Sequence, residues 1–240
     1  MVRASASSVP SDSGSLAPRW HTALLVALML LVALTGIGLQ LRGTPAQVPR
    51  VVSSAAGARI LTQYLPLLLV NWGLTLYVAR LFRKRNALPD LLGVPAIRRT
   101  RRGVDLAYAL GLWLVIEATE LLCARLFGVG PNAAVSALLP STEAERLTWL
   151  LVALSVGFCE EVVYRGYLQT QLAAFAGGAK WGIAWQAALF GLAHGEQGLS
   201  AALRTAAYGV LFGVLARARG SVLPGVLCHI GVDVAGGLLR

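Results

Sequence analysis

The sequence predicts an all-α fold, a polytopic transmembrane bundle of about seven spans, and three observations carry that reading. Only 13% of its 240 residues are charged, about half the share usual in soluble domains. Hydrophobic residues make up 56%, and the mean hydropathy is +0.66. Uncharged apolar runs of roughly 20 residues recur along the chain, the length a hydrocarbon core demands of a helix. The net charge of +10 does not point to nucleic acid, because 19 of the 21 basic residues are arginines gathered mainly in loops. Positive loops flanking apolar spans orient a membrane protein. The expected partner is therefore the lipid bilayer, and no nucleic-acid partner is expected. Cys123, Cys159 and Cys228 all fall in apolar runs without C-x-x-C spacing, and read as small core residues.

The elements follow in order. Residues 1–19, rich in Ser, Ala and Pro, read as a disordered tail. The run 23–41 is too long for the core of a signal peptide and reads as a retained first span. The second span, 60–79, contains Pro66, a candidate kink. From Arg80 to Arg102 there are eight basic residues against one acid, Asp90. That bias places the loop in the cytoplasm, and the N-terminus with it. Span three covers 104–127 and carries Glu117 and Glu120, which have two readings: pairing with Arg165 or Arg204, or lining a cavity. Span four starts near Leu147 and continues unbroken to Phe175, about 43 Å at 1.5 Å per residue, until Gly177-Gly178 ends it. Spans five to seven are read at 181–194, 199–216 and 222–239, leaving Arg240 outside. The chain thus divides into a tail (1–19), N-terminal transmembrane helices (20–140) and a C-terminal region (141–240). Low Lys with high Arg and Ala fits a bacterial source, and hence the inner membrane.

Span four concentrates the ionisable residues. Glu160, Glu161 and Arg165 follow an uncharged apolar run, and such groups within a membrane are costly enough to imply a task. The structural alternative is a charged helix end among lipid headgroups. On a helix Glu161 and Arg165, four apart, share a face, while Glu160 is turned about 100° away. The expected division leaves Glu160 free to work and makes Glu161 the structural partner of Arg165. Two histidines lie in the last spans, each four residues from a motif partner: Phe190 with His194, and His229 with Asp233. A carboxylate pair and two histidines within one small bundle form the grouping expected of an active site assembled between helices.

In that order, E-E-x-x-x-R (Glu160, Glu161, Arg165), F-x-x-x-H (Phe190, His194) and H-x-x-x-D (His229, Asp233) resemble the membrane-embedded CAAX-processing and bacteriocin-immunity proteases, the CPBP or Abi family. The stretches 208–213 and 220–224 look like that family's Gly-rich helix and following turn. The resemblance covers roughly 145–240, and the first 140 residues carry none. It implies peptide-bond hydrolysis within the membrane, on lipidated or membrane-inserted substrates. Glu160, helped by His194, would activate water, and His229 with Asp233 would stabilise the oxyanion. A carboxylate in low dielectric is a better base than one in water, which suits that role. By the same resemblance the family's last motif is H-x-x-x-N/D, with Asn in its better-studied eukaryotic and archaeal members; an ionised Asp233 accepts only, so it would orient His229 or itself be protonated. Zinc is the metal this set would take, on Glu160, His194 and His229. The H-E-x-x-H arrangement is absent from the sequence, and the expectation is a glutamate-dependent hydrolase with no obligatory cofactor. Two other classes compete: a proton or cation transporter, for which internal repeats would speak and none is seen, and a catalytically silent immunity protein, which would have no need of the complete set.

Overall fold

A computed structural model describes residues 15, 17–41, 57–84, 88–93, 102–127 and 133–239. Among these every regular element is helical. We number them α1 (Arg19–Leu41), α2 (Ile60–Lys84), α3 (Leu88–Leu92), α4 (Arg102–Phe127), α5 (Ala133–Leu138), α6 (Glu143–Ala176), α7 (Ala179–Ala193), α8 (Leu199–Arg219) and α9 (Leu223–Leu238). Five of them, α1, α2, α4, α6 and α8, are long and apolar enough to cross a membrane. The predicted spans five and seven form helices of 15 and 16 residues, about 22–24 Å at 1.5 Å per residue. Both fall short of a ~30 Å hydrocarbon core. The protein is a multi-pass helical membrane bundle. Most of the cytoplasmic-loop and tail residues invoked above lie outside the described residues, as does Arg240. Ala17, assigned to the tail, is buried, and its carbonyl accepts from Gln171 Nε2 at 3.0 Å.

Local chemistry explains where the helices begin and bend. α6 starts one turn earlier than hydropathy alone indicates, because Thr142 and Glu145 form a capping box, each satisfying a backbone N–H of the other. α2 opens with a π-helical turn over Ile60–Tyr64 just before Pro66; proline offers no N–H to a regular ladder. Gly177 closes α6 in the left-handed conformation, φ 84°, and Gly178 (φ 131°) starts α7, so the two helices form a tight hairpin.

Ion pairs link helix ends in a consistent up-and-down order. Arg59 and Glu145 join the starts of α2 and α6 at 2.9 Å. Asp105 and Arg219 join the start of α4 to the end of α8 at 3.0 Å. Glu120, near the far end of α4, meets Arg204 of α8 at 3.2 Å and accepts from Tyr208 at 2.7 Å. For Glu120, pairing with Arg204 is therefore the arrangement found. α6 is the most buried of the five long helices, with α2, α7 and α9 packed round it.

Candidate active site

The centre of α6 departs from α-helical geometry. From Glu161 to Leu168 the backbone is π-helical, a widened turn that is rare and often found at functional sites. Glu160 is the last α-helical residue and Glu161 the first of the π stretch. Periodicity could not reveal this change of pitch.

Glu161 sits at the bottom of the site, fully buried, and its Oε1 takes two donors. Arg165 Nη1 donates at 2.7 Å, and His229 Nδ1 lies at 3.3 Å. The spacing argument paired Glu161 with Arg165; His229 of α9 is a second partner that it could not supply. Close approach is possible because α9 has Gly225 there: a Cβ would fall 2.6 Å from Glu161 Oε2. The other face of His229 looks toward two further carboxylates, with Nε2 at 3.8 Å from both Glu160 Oε2 and Asp233 Oδ2. Neither is a hydrogen-bonding distance.

Aromatic rings enclose this cluster. The Arg165 guanidinium carbon lies 4.3 Å from the Phe190 ring centroid and 4.9 Å from that of Phe212. His229 lies between the same rings, 6.1 Å and 5.6 Å away. Phe212, on α8, enters the sequence reading only as part of the Gly-rich stretch 208–213, with no role of its own; its i+4 spacing from Tyr208 is the local signal that sets it apart.

His194 occupies the C-cap of α7. Its Nδ1–H donates to the Phe190 carbonyl at 2.8 Å, which leaves Nε2 as the acceptor of a neutral ring. No hydrogen bond or ion pair joins His194 to Glu160, although Asp233 is within electrostatic reach of both. The α6–α7 hairpin brings His194 to this level. Sixteen residues separate Glu161 from Gly177 and sixteen separate Gly178 from His194, so the antiparallel arms match in length.

The site also contains polar atoms that the protein leaves unsatisfied. Among the described residues, Glu160 Oε2, Glu161 Oε2, Arg165 Nε and Arg165 Nη2 are buried without a hydrogen-bond partner. Such groups are uncommon in native interiors and need a reason. The arrangement can hold a water or a carbonyl group between a carboxylate, an imidazole acceptor and a ring able to donate. A metal fits it less well: no three His, Cys, Asp or Glu side chains among the described residues converge on a common centre.

Comparison with known proteins bears on this geometry directly. Residues 142–235 match the family model of the type II CAAX prenyl endopeptidases, Rce1-like. Residues 142–235 are thus similar to an Rce1-like endopeptidase domain. The matched stretch takes in α6, α7, α8 and α9 as far as Ala235, with all six residues singled out from the motifs: Glu160, Glu161, Arg165, His194, His229 and Asp233. No curated protein and no solved structure matches the chain. The Rce1-like domain thus starts at the Thr142 cap, while α1 to α5 lie outside it.

Proposed function

We propose that this membrane protein, whose Rce1-like domain is that of a membrane endopeptidase, cleaves lipidated or membrane-inserted proteins by a glutamate-activated water. The observation that carries the reading is Glu160 Oε2, a buried carboxylate oxygen with no protein partner, 3.8 Å from His229 Nε2. Glu160 takes a proton from the water as its oxygen attacks the scissile carbonyl carbon. His194 Nε2, left free by the Phe190 bond, is the second acceptor for that water. An imidazolium His229 presents a hydrogen on each nitrogen: Nδ1–H to Glu161, and Nε2–H to the oxyanion as the carbonyl π bond becomes a lone pair. The C–N bond then breaks, and Glu160 returns its proton to the leaving amine. Asp233 steadies His229 through its field. By this reading the domain works without an obligatory metal.

The topology follows from the charge bias: N-terminus and residues 80–102 cytoplasmic, in a bacterial inner membrane. Single cysteines placed in that loop should label from the cytoplasmic side only; labelling from outside would invert the orientation.

The test of function compares membrane proteomes from cells carrying the wild-type and Glu160→Gln proteins, searching for new C-termini. Cleavage of the peptides so found by purified protein should fall by about 10²–10⁴-fold in the variant, with unchanged abundance in the membrane. Wild-type rates in Glu160→Gln would remove Glu160 from the chemistry.

A further inference from the structure

Phe212 touches Arg165 and His229 from the Gly-rich stretch of α8 and lies outside the three charged motifs. Its ring centroid is 4.9 Å from the Arg165 guanidinium carbon and 5.6 Å from the His229 ring. A Cβ at Gly225 would meet Phe212 Cδ1 at 3.4 Å and Glu161 Oε2 at 2.6 Å, so one missing side chain admits both the ring and the carboxylate. Phe190 of α7 lies against the same two groups, 4.3 Å from the guanidinium carbon and 6.1 Å from the imidazole. Arg165 and His229, contributed by different helices, thus share one aromatic slot. Both direct a nitrogen at the same oxygen, Glu161 Oε1.

On the reading of the site as hydrolytic, we propose that Phe212 is a positioning residue: with Phe190 it clamps the Arg165 guanidinium, and through it fixes Glu161 and His229. Rings carry negative potential on their faces and attract a cation more strongly when both are removed from water. A guanidinium is planar, and its hydrogen bonds lie in that plane. Rings that crowd the cation restrict its tilt, so that Nη1 stays on Glu161 Oε1. That oxygen in turn sets the direction of His229 Nδ1–H, and hence where Nε2 points. Arg165 is buried, yet its Nε and Nη2 have no hydrogen-bond partner among the described residues. The hydrogen-bonding edge alone therefore does not hold the group; the ring contacts supply the missing restraint.

Two substitutions separate ring from bulk. Phe212→Leu keeps an apolar side chain and removes the ring; Phe212→Tyr keeps the ring. The expected result is a fall in kcat of about 10²-fold for the Leu variant, the scale of a misplaced catalytic group, with KM within about threefold. The Tyr variant should stay within about threefold of wild type, consistent with its retained π face. A second measurement does not depend on activity. In protein labelled with ¹⁵N-arginine, the Arg165 Nε–H proton should be shifted upfield by the rings and exchange slowly with water. Both signatures should persist with Tyr and weaken with Leu, where only the Phe190 and Tyr164 rings remain near the cation. Equal losses in the two variants, a wild-type kcat in the Leu variant, or an unchanged Arg165 resonance would overturn the proposal. If the wild-type protein cleaves nothing, the hydrolase reading fails, and the resonance still decides whether the clamp exists.

Discussion

Glu145 and Glu161 stand 16 residues apart on α6, both buried and each paired with one arginine. Glu145 leaves no buried oxygen without a partner. Its Oε2 accepts from Ser141 N and Oγ, Thr142 N and Arg59 Nη1 at 2.9–3.2 Å, and Arg59 also donates to Ser141 and to the Ala137 carbonyl. Glu161 differs. One of its oxygens serves two donors, the other has no partner, and Arg165 keeps two buried nitrogens unpaired. Burial and an arginine partner are common to both places, so neither marks function. Satisfaction separates them: a closed network ties helix ends together, and an open one retains hydrogen-bonding capacity for something that arrives later.

The largest effect should come from breaking the open network. Glu161→Gln leaves Arg165 charged in a site with no other acid hydrogen-bonded to it, at a cost of about 3–5 kcal/mol in unfolding free energy. Cleavage should fall with it, since a neutral amide oxygen holds the His229 Nδ1–H and the Arg165 guanidinium less firmly than a carboxylate does. Denaturant unfolding in detergent, with peptide cleavage on the same samples, checks both. A variant that is fully stable yet inactive would mean that Glu161 acts in the chemistry alone, and the comparison with Glu145 would lose its basis.

At the closed network the effect should be smaller and confined to stability. Glu145→Gln keeps an acceptor but loses the charge that Arg59, 19% exposed, now pairs with. Bonds to charged groups are worth about 1.5–3 kcal/mol, and the loss should lie at the lower end, because Arg59 can turn to water. Turnover per folded molecule should match wild type. An activity loss beyond the folded fraction would show that the end of α6 communicates with its centre.

The sequence made one half of this contrast more legible than the other. Glu161 and Arg165 were found because one helix carries both and period alone decides their facing. The T-x-x-E cap at Thr142 is equally local but polar, so apolar runs alone place the helix start one turn too late. The meeting of His194 with Glu161's level could have been counted from the equal arms about Gly177-Gly178. Nothing local announces Gly225, Phe212 or the second donor on Glu161. These depend on how α8 and α9 approach α6, and a one-dimensional pattern does not contain that packing. The π-helical stretch was hidden for the same reason: Val162 to Leu168 have no residue that forbids an ordinary helix.

The smallest effect expected at the site is that of Asp233→Asn. The motif leaves Asp233 two roles: a protonated donor, or the orienting partner of His229. In the structure that position is held by Glu161, 3.3 Å from Nδ1, while Asp233 Oδ2 stands 3.8 Å from Nε2. At 3.8 Å no hydrogen bond is lost on substitution; only the field of a carboxylate disappears. That field is weakened by solvent, as Asp233 is 25% exposed against 0% for Glu161, and Glu160 exerts a similar one from the same distance. Asparagine also brings an amide donor beside the developing oxyanion, which offsets part of the loss. The expected fall in kcat is tenfold or less, about 1.4 kcal/mol, with no change in unfolding midpoint. Measured beside Glu161→Gln, the variant ranks the two carboxylates. A loss beyond 10²-fold would return the orienting role to Asp233, and an unchanged rate would remove Asp233 from the chemistry.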